Sequence, residues 1–261
     1  ACTGTSTCTV SMTTAKSVTA TFSVVSVTVT PTATTYYTAR SANNTFGFTS
    51  TTSTGTTECR LLNSSSTALT SYATGTSIVY GMPATAGSYG YYIQCRNVAY
   101  PTKIATSSLI TVNVVTVGVT ATTSYSKTPA SSVAFAYTPT TTAGSTECAL
   151  LNSSLTALTS YQASSPINYT NPNGIGSYGY YVRCRHTVVT SEIATSALIT
   201  VTSACTTGTS WNGSACVTPT GTLTASNCSI TAGNNTCQTL LNWNTSNPIT
   251  TSAVTTNYPS S

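Results

Sequence analysis

Apolar and polar residues alternate along most of the chain with the period of two that a half-buried β-strand requires, because successive side chains leave a strand on opposite faces. Phe46 and Phe48 flank Gly47. Tyr89, Tyr91, Ile93 and Cys95 fall on one face of a run whose other face carries Tyr92, Gln94 and Arg96. Leu109, Thr111 and Val112 open a further apolar run that continues through Val114 and Val115. Gly and Ser/Thr clusters interrupt these runs at short intervals, which marks turns between short strands.

The pattern occurs twice. Thr57–Tyr72 reads TECRLLNSSSTALTSY and Thr146–Tyr161 reads TECALLNSSLTALTSY. GSYGYYIQCR at Gly87–Arg96 matches GSYGYYVRCR at Gly176–Arg185, and KIATSSLITV at Lys103–Val112 matches EIATSALITV at Glu192–Val201. Cys59 to Cys148 and Cys95 to Cys184 are both 89 positions apart, so the copies align without a gap. Two homologous domains are expected, at 26–115 and 116–203. Seven or so short strands in each describe a β-sandwich, and the expected fold class is all-β.

Composition narrows the class. Hydrophobic residues make up 39% of the chain, enough for sizeable cores, but only 4% of residues are charged, against about 25% in ordinary globular proteins. There is no Asp, and three Glu, one His and eight Lys or Arg are the whole titrating set outside sixteen Tyr and the cysteines. Thr, Ser, Val and Tyr fit a pleated surface, and aromatics alternate too regularly for a flexible Ser/Thr stalk. The net charge of +5 is scattered without a run or stripe, which argues against a nucleic-acid partner. A surface this poor in charge lacks the repulsion that keeps soluble proteins apart, and suits a chain that binds copies of itself. No stretch approaches the ~20 apolar residues of a membrane-spanning helix.

The ten cysteines read as five sequential disulfides: Cys2–Cys8, Cys59–Cys95, Cys148–Cys184, Cys205–Cys216 and Cys228–Cys237. A structural zinc site would need CxxC spacings or Cys mixed with His. There is no CxxC, and His186 is the sole histidine. Disulfides place the chain in an oxidising setting, extracellular or at a cell surface.

FxFxSTxxxGTTECRLLN followed by SYGYYIQC resembles the bacterial immunoglobulin-like repeats of large surface proteins and adhesins. The resemblance covers both repeats, about two-thirds of the chain. It implies that a Cys on a central strand pairs with a Cys on the strand before the last. Antibody-type domains differ: no Trp accompanies Cys59, and Ile93 stands where a tyrosine corner would sit. The outer segments resemble pieces of further modules. Residues 1–25 look like the last strands of a surface β-repeat, 204–217 like a small disulfide loop, and 218–261, with Leu240-Leu241-Asn242-Trp243, like the opening strands of another immunoglobulin-like domain. Partial sandwiches expose strand edges that pair readily with another chain, and head-to-tail contacts of that kind build filaments.

Catalytic equipment is missing. Glu58 and Glu147 occupy one repeat position and are expected to form cross-strand ion pairs on the solvent face, with Gln94 and Arg96, or Arg183 and Arg185, as neighbours. A Ser/His/Asp triad lacks its Asp, and calcium loops lack acidic ligands. An isopeptide cross-link from Lys16, Lys103 or Lys127 lacks a promoting acid. The sequence therefore predicts no enzyme, no cofactor and no metal. Asn-X-Ser/Thr sites at Asn43, Asn63, Asn152, Asn168 and Asn234 arise readily by chance in so Ser/Thr-rich a chain. The expected function is a structural subunit of an extracellular filament or stalk, polymerised with itself. Lys103, which becomes Glu192 in the second repeat, and Trp243 are the expected assembly residues. The alternative is an adhesin that contacts surface glycan or protein through Tyr37, Tyr92 and Tyr181.

Overall fold

The computed structural model describes residues 23–248, together with Thr13, Thr14 and Ser17. The expected Cys2–Cys8 bond, most of the 1–25 module and residues 249–261 lie outside the described residues. Every regular element among the described residues is a strand, so the protein is all-β. Contacts gather it into two compact units. One takes the described residues through Thr34 with Thr45–Val79 and Gly90–Ile110, and the other takes Thr35–Asn44, Tyr80–Tyr89 and the described residues from Thr111 on.

The first copy of the repeat supplies β1 (Val27–Pro31), β2 (Thr35–Thr38), β3 (Asn43–Thr52), β4 (Thr57–Asn63), β5 (Ser77–Gly81), β6 (Gly87–Asn97), β7 (Ile104–Thr106) and β8 (Ile110–Val114). They form two sheets, β1-β3-β5 and β2-β8-β6-β4, with β7 also paired to β6. The second copy supplies β9 (Val117–Ala121), β10 (Ser124–Lys127), β11 (Ser132–Phe135), β12 (Tyr137–Thr141), β13 (Thr146–Asn152), β14 (Ile167–Thr170), β15 (Gly176–His186), β16 (Ile193–Thr195) and β17 (Ile199–Ser203). Its larger sheet, β10-β17-β15-β13 with β16 on β15, repeats the first. The opposing layer is split into β9-β12 and β11-β14. The split falls at Ala136, whose N–H is donated to the Tyr125 hydroxyl at 2.9 Å instead of to a strand. Two facing sheets in this strand order are an immunoglobulin-like β-sandwich.

Alternation dictates the cores. On β6, Tyr91, Ile93 and Cys95 point inward while Tyr92, Gln94 and Arg96 remain half-exposed. Phe46 packs on Tyr91 with ring centroids 5.2 Å apart, and Phe135 packs on Tyr180 at 5.1 Å. Leu150, Val182, Ile199 and Val201 complete the second core with no measurable exposure. Burying a side chain of this size contributes about 2–3 kcal/mol.

Four disulfides join described residues. Cys59–Cys95 and Cys148–Cys184 each link residues directly opposite in the ladder, β4 to β6 and β13 to β15, with Cα atoms 4.0 Å apart. These bonds run within one sheet, whereas the antibody disulfide crosses between sheets. Cys205–Cys216 clasps the short hairpin of β18 (Ser210–Trp211) and β19 (Cys216–Val217). Beyond it, β20 (Thr220–Ala225) and β21 (Leu241–Ser246) form a two-stranded ladder, with Cys228–Cys237 in their connection.

Candidate functional site

The outward face of β4 and β6 gathers most of the first repeat's charge. Cross-strand pairing puts Glu58 opposite Arg96 and Arg60 opposite Gln94. Arg96 Nε donates to Glu58 Oε1 at 2.6 Å. Arg60 donates from Nε and Nη2 to the single oxygen Gln94 Oε1, at 3.0 and 2.7 Å. Tyr72 arrives on the segment that bridges to β4 at Cys59–Ala73, and its hydroxyl donates to the same Gln94 Oε1 at 2.7 Å. Both guanidinium groups lie on the Tyr72 ring, Arg60 Cζ 4.5 Å and Arg96 Cζ 4.0 Å from its centroid. Such cation–π contacts stabilise by about 0.5–1 kcal/mol at exposed sites. A shallow, open depression lies against Glu58, Arg60, Leu69, Tyr72 and Arg96.

The cluster is rich in donors and short of acceptors. A carboxamide oxygen has two lone pairs, yet Gln94 Oε1 receives three donors. The cluster holds two guanidinium groups and one carboxylate, which pairs with Arg96; among the described residues no acid pairs with Arg60.

In the second repeat the ion pair and the stack persist. Arg185 Nε donates to Glu147 Oε1 at 2.7 Å, and Arg185 Cζ lies 3.9 Å from the Tyr161 centroid. The rest is gone, since Ala149 replaces Arg60 and is buried, and Arg183 replaces Gln94 and turns to Thr195 Oγ1 at 3.3 Å. The ion pairs between Glu58 and Arg96 and between Glu147 and Arg185 are the cross-strand pairs that alternation predicts.

The sole histidine is a structural cap. His186 is fully buried. Its Nδ1 accepts from the amides of Val188 and Val189 at 3.1 and 3.0 Å, so Nε2 carries the proton and donates to Ala143 O at 3.1 Å. Asn97, its counterpart 89 positions earlier, does the same work: Oδ1 accepts from Ala99 and Tyr100, and Nδ2 donates to Thr54 O. No group of three or more His, Cys, Asp or Glu side chains gathers among the described residues. Burial raises the Tyr180 hydroxyl's pKa, with Tyr169 and Tyr178 adding to the effect, and burial raises that of Tyr137 against an opposing hydrogen bond from Gln162.

The residues singled out by sequence do not converge. Lys103 is exposed and Glu192 half-exposed, at equivalent turns after β6 and β15, and neither forms an ion pair among the described residues. Trp243 is exposed on β21 directly opposite exposed Leu223. Tyr92 and Tyr181 are half-buried at matching positions. Tyr37 is occupied in packing, its ring 5.4 Å from that of His186. Asn63 and Asn152 cap their own turns, each accepting two backbone amides at 2.9–3.0 Å. Sequence reasoning missed Arg60 and Tyr72 as partners, although Arg60 is one of only two positions at which Thr57–Tyr72 and Thr146–Tyr161 differ.

No protein-family model matches the chain, and no curated protein does. Among solved structures it is similar to the fibronectin(III)-like modules of Clostridium thermocellum CbhA, at 14% identity over 68% of this chain and 93% of that one, with a TM-score of 0.40. It is also similar to three N-terminal domains of the bacteriophage RB49 highly immunogenic outer capsid protein, at 9% identity over 69% and 71%, with a TM-score of 0.48. A Dscam structure matches at 8% identity over 66% and 44%, with a TM-score of 0.32. Likeness at this level says nothing of activity or partners.

Proposed function

We propose that the chain is a non-catalytic structural segment of an extracellular or cell-surface filament or stalk, of the bacterial immunoglobulin-like repeat kind, that assembles head-to-tail with copies of itself. Its repeats act as domains at 26–115 and 116–203. The observation that carries this reading is the β20–β21 ladder. All six residues of β20 are exposed, and Leu223 and Trp243 face each other across the ladder at 56% and 54% exposure. A two-stranded sheet is marginal on its own in water and gains stability when further strands or an apolar cover are added. Strands of a neighbouring copy supply that cover by edge pairing.

Two further features support durability in the open. Few charges leave little repulsion between copies, and each disulfide in the sandwiches spans 36 residues, worth about 4 kcal/mol in the loop-entropy account. Negative-stain electron microscopy of the purified full chain tests the reading. Filaments that disappear in Trp243→Ser are the expected result. Monodisperse particles that bind a surface glycan, with binding lost on changing Tyr92 or Tyr181, would replace the filament by an adhesin.

A further inference from the structure

Charge is so scarce in this chain that every unmatched charge is informative. Of the three carboxylate side chains, Glu58 and Glu147 are held in ion pairs. Glu192 is the remaining one. It sits in the turn between β15 and β16, half-exposed, and its backbone closes that turn through Glu192 N to Val189 O at 3.0 Å and His186 N to Glu192 O at 3.1 Å. The turn fixes where the side chain starts, and no ion pair engages its carboxylate among the described residues.

The opposite deficit lies on the first repeat. Arg60 and Arg96 converge on the Tyr72 ring with one carboxylate between them, and Gln94 Oε1 carries three donors where two lone pairs exist. Arg60 spends one edge of its fork on Gln94, and Arg96 spends its Nε on Glu58. The remaining Nη donors have no acid acceptor among the described residues. Both guanidinium groups are already ordered by stacking and hydrogen bonds, so a carboxylate arriving there loses less side-chain entropy than an ordinary surface pair. A planar guanidinium edge is also matched to a carboxylate in a way that the free ammonium of Lys103 is not.

We infer that the Arg60–Tyr72–Arg96 face is an interaction surface for a second copy of this chain, and that the group it receives is the Glu192 carboxylate of that copy. The inference rests on the proposed self-assembly and names residues for one contact in it. In the second repeat Ala149 and Arg183 leave one guanidinium on the tyrosine ring, already paired with Glu147, so the contact runs from the second repeat of one copy to the first repeat of another. Such a contact is heterologous and leaves a joined pair of copies with one unused donor face at one end and one unused acid at the other, as an open polymer requires.

A charge swap on the full chain tests it, read as the concentration for half-maximal assembly by light scattering. Glu192→Gln, a change in an exposed turn, raises that concentration about tenfold, and Glu192→Arg raises it further by repulsion. Glu192→Arg combined with Arg60→Glu restores assembly to near the unaltered level, while Arg60→Glu alone does not assemble normally. Thermal melting of each variant confirms that it is folded. If the unaltered chain assembles and Glu192→Gln assembles equally well, the inference is wrong and the filament reading stands. If the unaltered chain never assembles, both fail. Oligogalacturonate, a soluble polymer of carboxylated sugars, serves as a competitor. Binding of it that depends on Arg60, in a chain whose assembly ignores Glu192, would assign the face to an acidic polysaccharide instead.

Discussion

The two repeats share a frame and differ in what they place on it. Cross-strand disulfides, the tilted Phe46–Tyr91 and Phe135–Tyr180 ring pairs, and the Asn63 and Asn152 turn caps recur at the same offset. Ser107 and Ser196 recur too, each hydroxyl accepting a buried backbone amide at 3.0 Å. Where side-chain chemistry does change inside the frame, geometry is conserved. Asn97 and His186 accept from the next turn on one atom and donate to a carbonyl on another, so an imidazole replaces a carboxamide without rewiring the loop. Outside the frame nothing constrains the exchange in that way, and Arg60 gives way to Ala149. The residues that hold the fold and those of the proposed docking face are therefore different, and mutation can test them separately.

The strongest test of the shared frame is removal of its staples. Replacing both cysteines by Ala, at Cys59 with Cys95 or at Cys148 with Cys184, is expected to cost about 4 kcal/mol in either repeat, because the loops enclosed are the same length. Denaturant unfolding that shows one bond mattering much more than the other would break the equivalence.

A smaller effect distinguishes the repeats. Gly55 and Gly144 both sit at positive φ, 73° and 76°, so Ala at either costs about 1–2 kcal/mol of backbone strain. A Cβ at Gly144 would also lie 2.5 Å from His186 Nε2 and 3.1 Å from Tyr37 Cε1, whereas at Gly55 the nearest atom is Asn97 Nδ2 at 3.6 Å. Gly144→Ala is expected to destabilise more than Gly55→Ala in thermal unfolding. Equal losses would show that the larger imidazole and its Tyr37 contact impose no extra constraint.

The smallest effect is in the titration. Tyr137 and Tyr180 have raised pKa values in the fold, caused first by burial. In the window above about 10 the folded state holds protons that the unfolded state has lost, so stability falls as pH rises there and is unaffected below it. Ultraviolet titration should find Tyr137 and Tyr180 ionising above the ordinary tyrosine value, and Tyr180→Phe should flatten the alkaline decline. An unchanged decline would remove Tyr180 from that account.

Much of the fold is legible from residue order alone. Period-two runs such as Tyr89–Cys95 and the gapless repeat specify strands and which face is buried, because both depend on local geometry. The outward cluster is harder to read. Glu58 and Arg96 are neighbours by strand register and follow from the pattern, but Tyr72 joins them only because its segment folds back along β4, a contact with no periodic signature. Tyr37 looks like an exposed aromatic in sequence and is taken up by His186, a residue far along the chain. Long-range returns of this sort leave no trace in the alternation.

The most direct test of the central claim is sedimentation velocity of the full 26.8 kDa chain over a range of concentrations, alongside Trp243→Ser. The account predicts species that grow with concentration in the unaltered chain and collapse toward the monomer when Trp243 is removed. A single species at the monomer mass at every concentration, identical in both proteins, would contradict it.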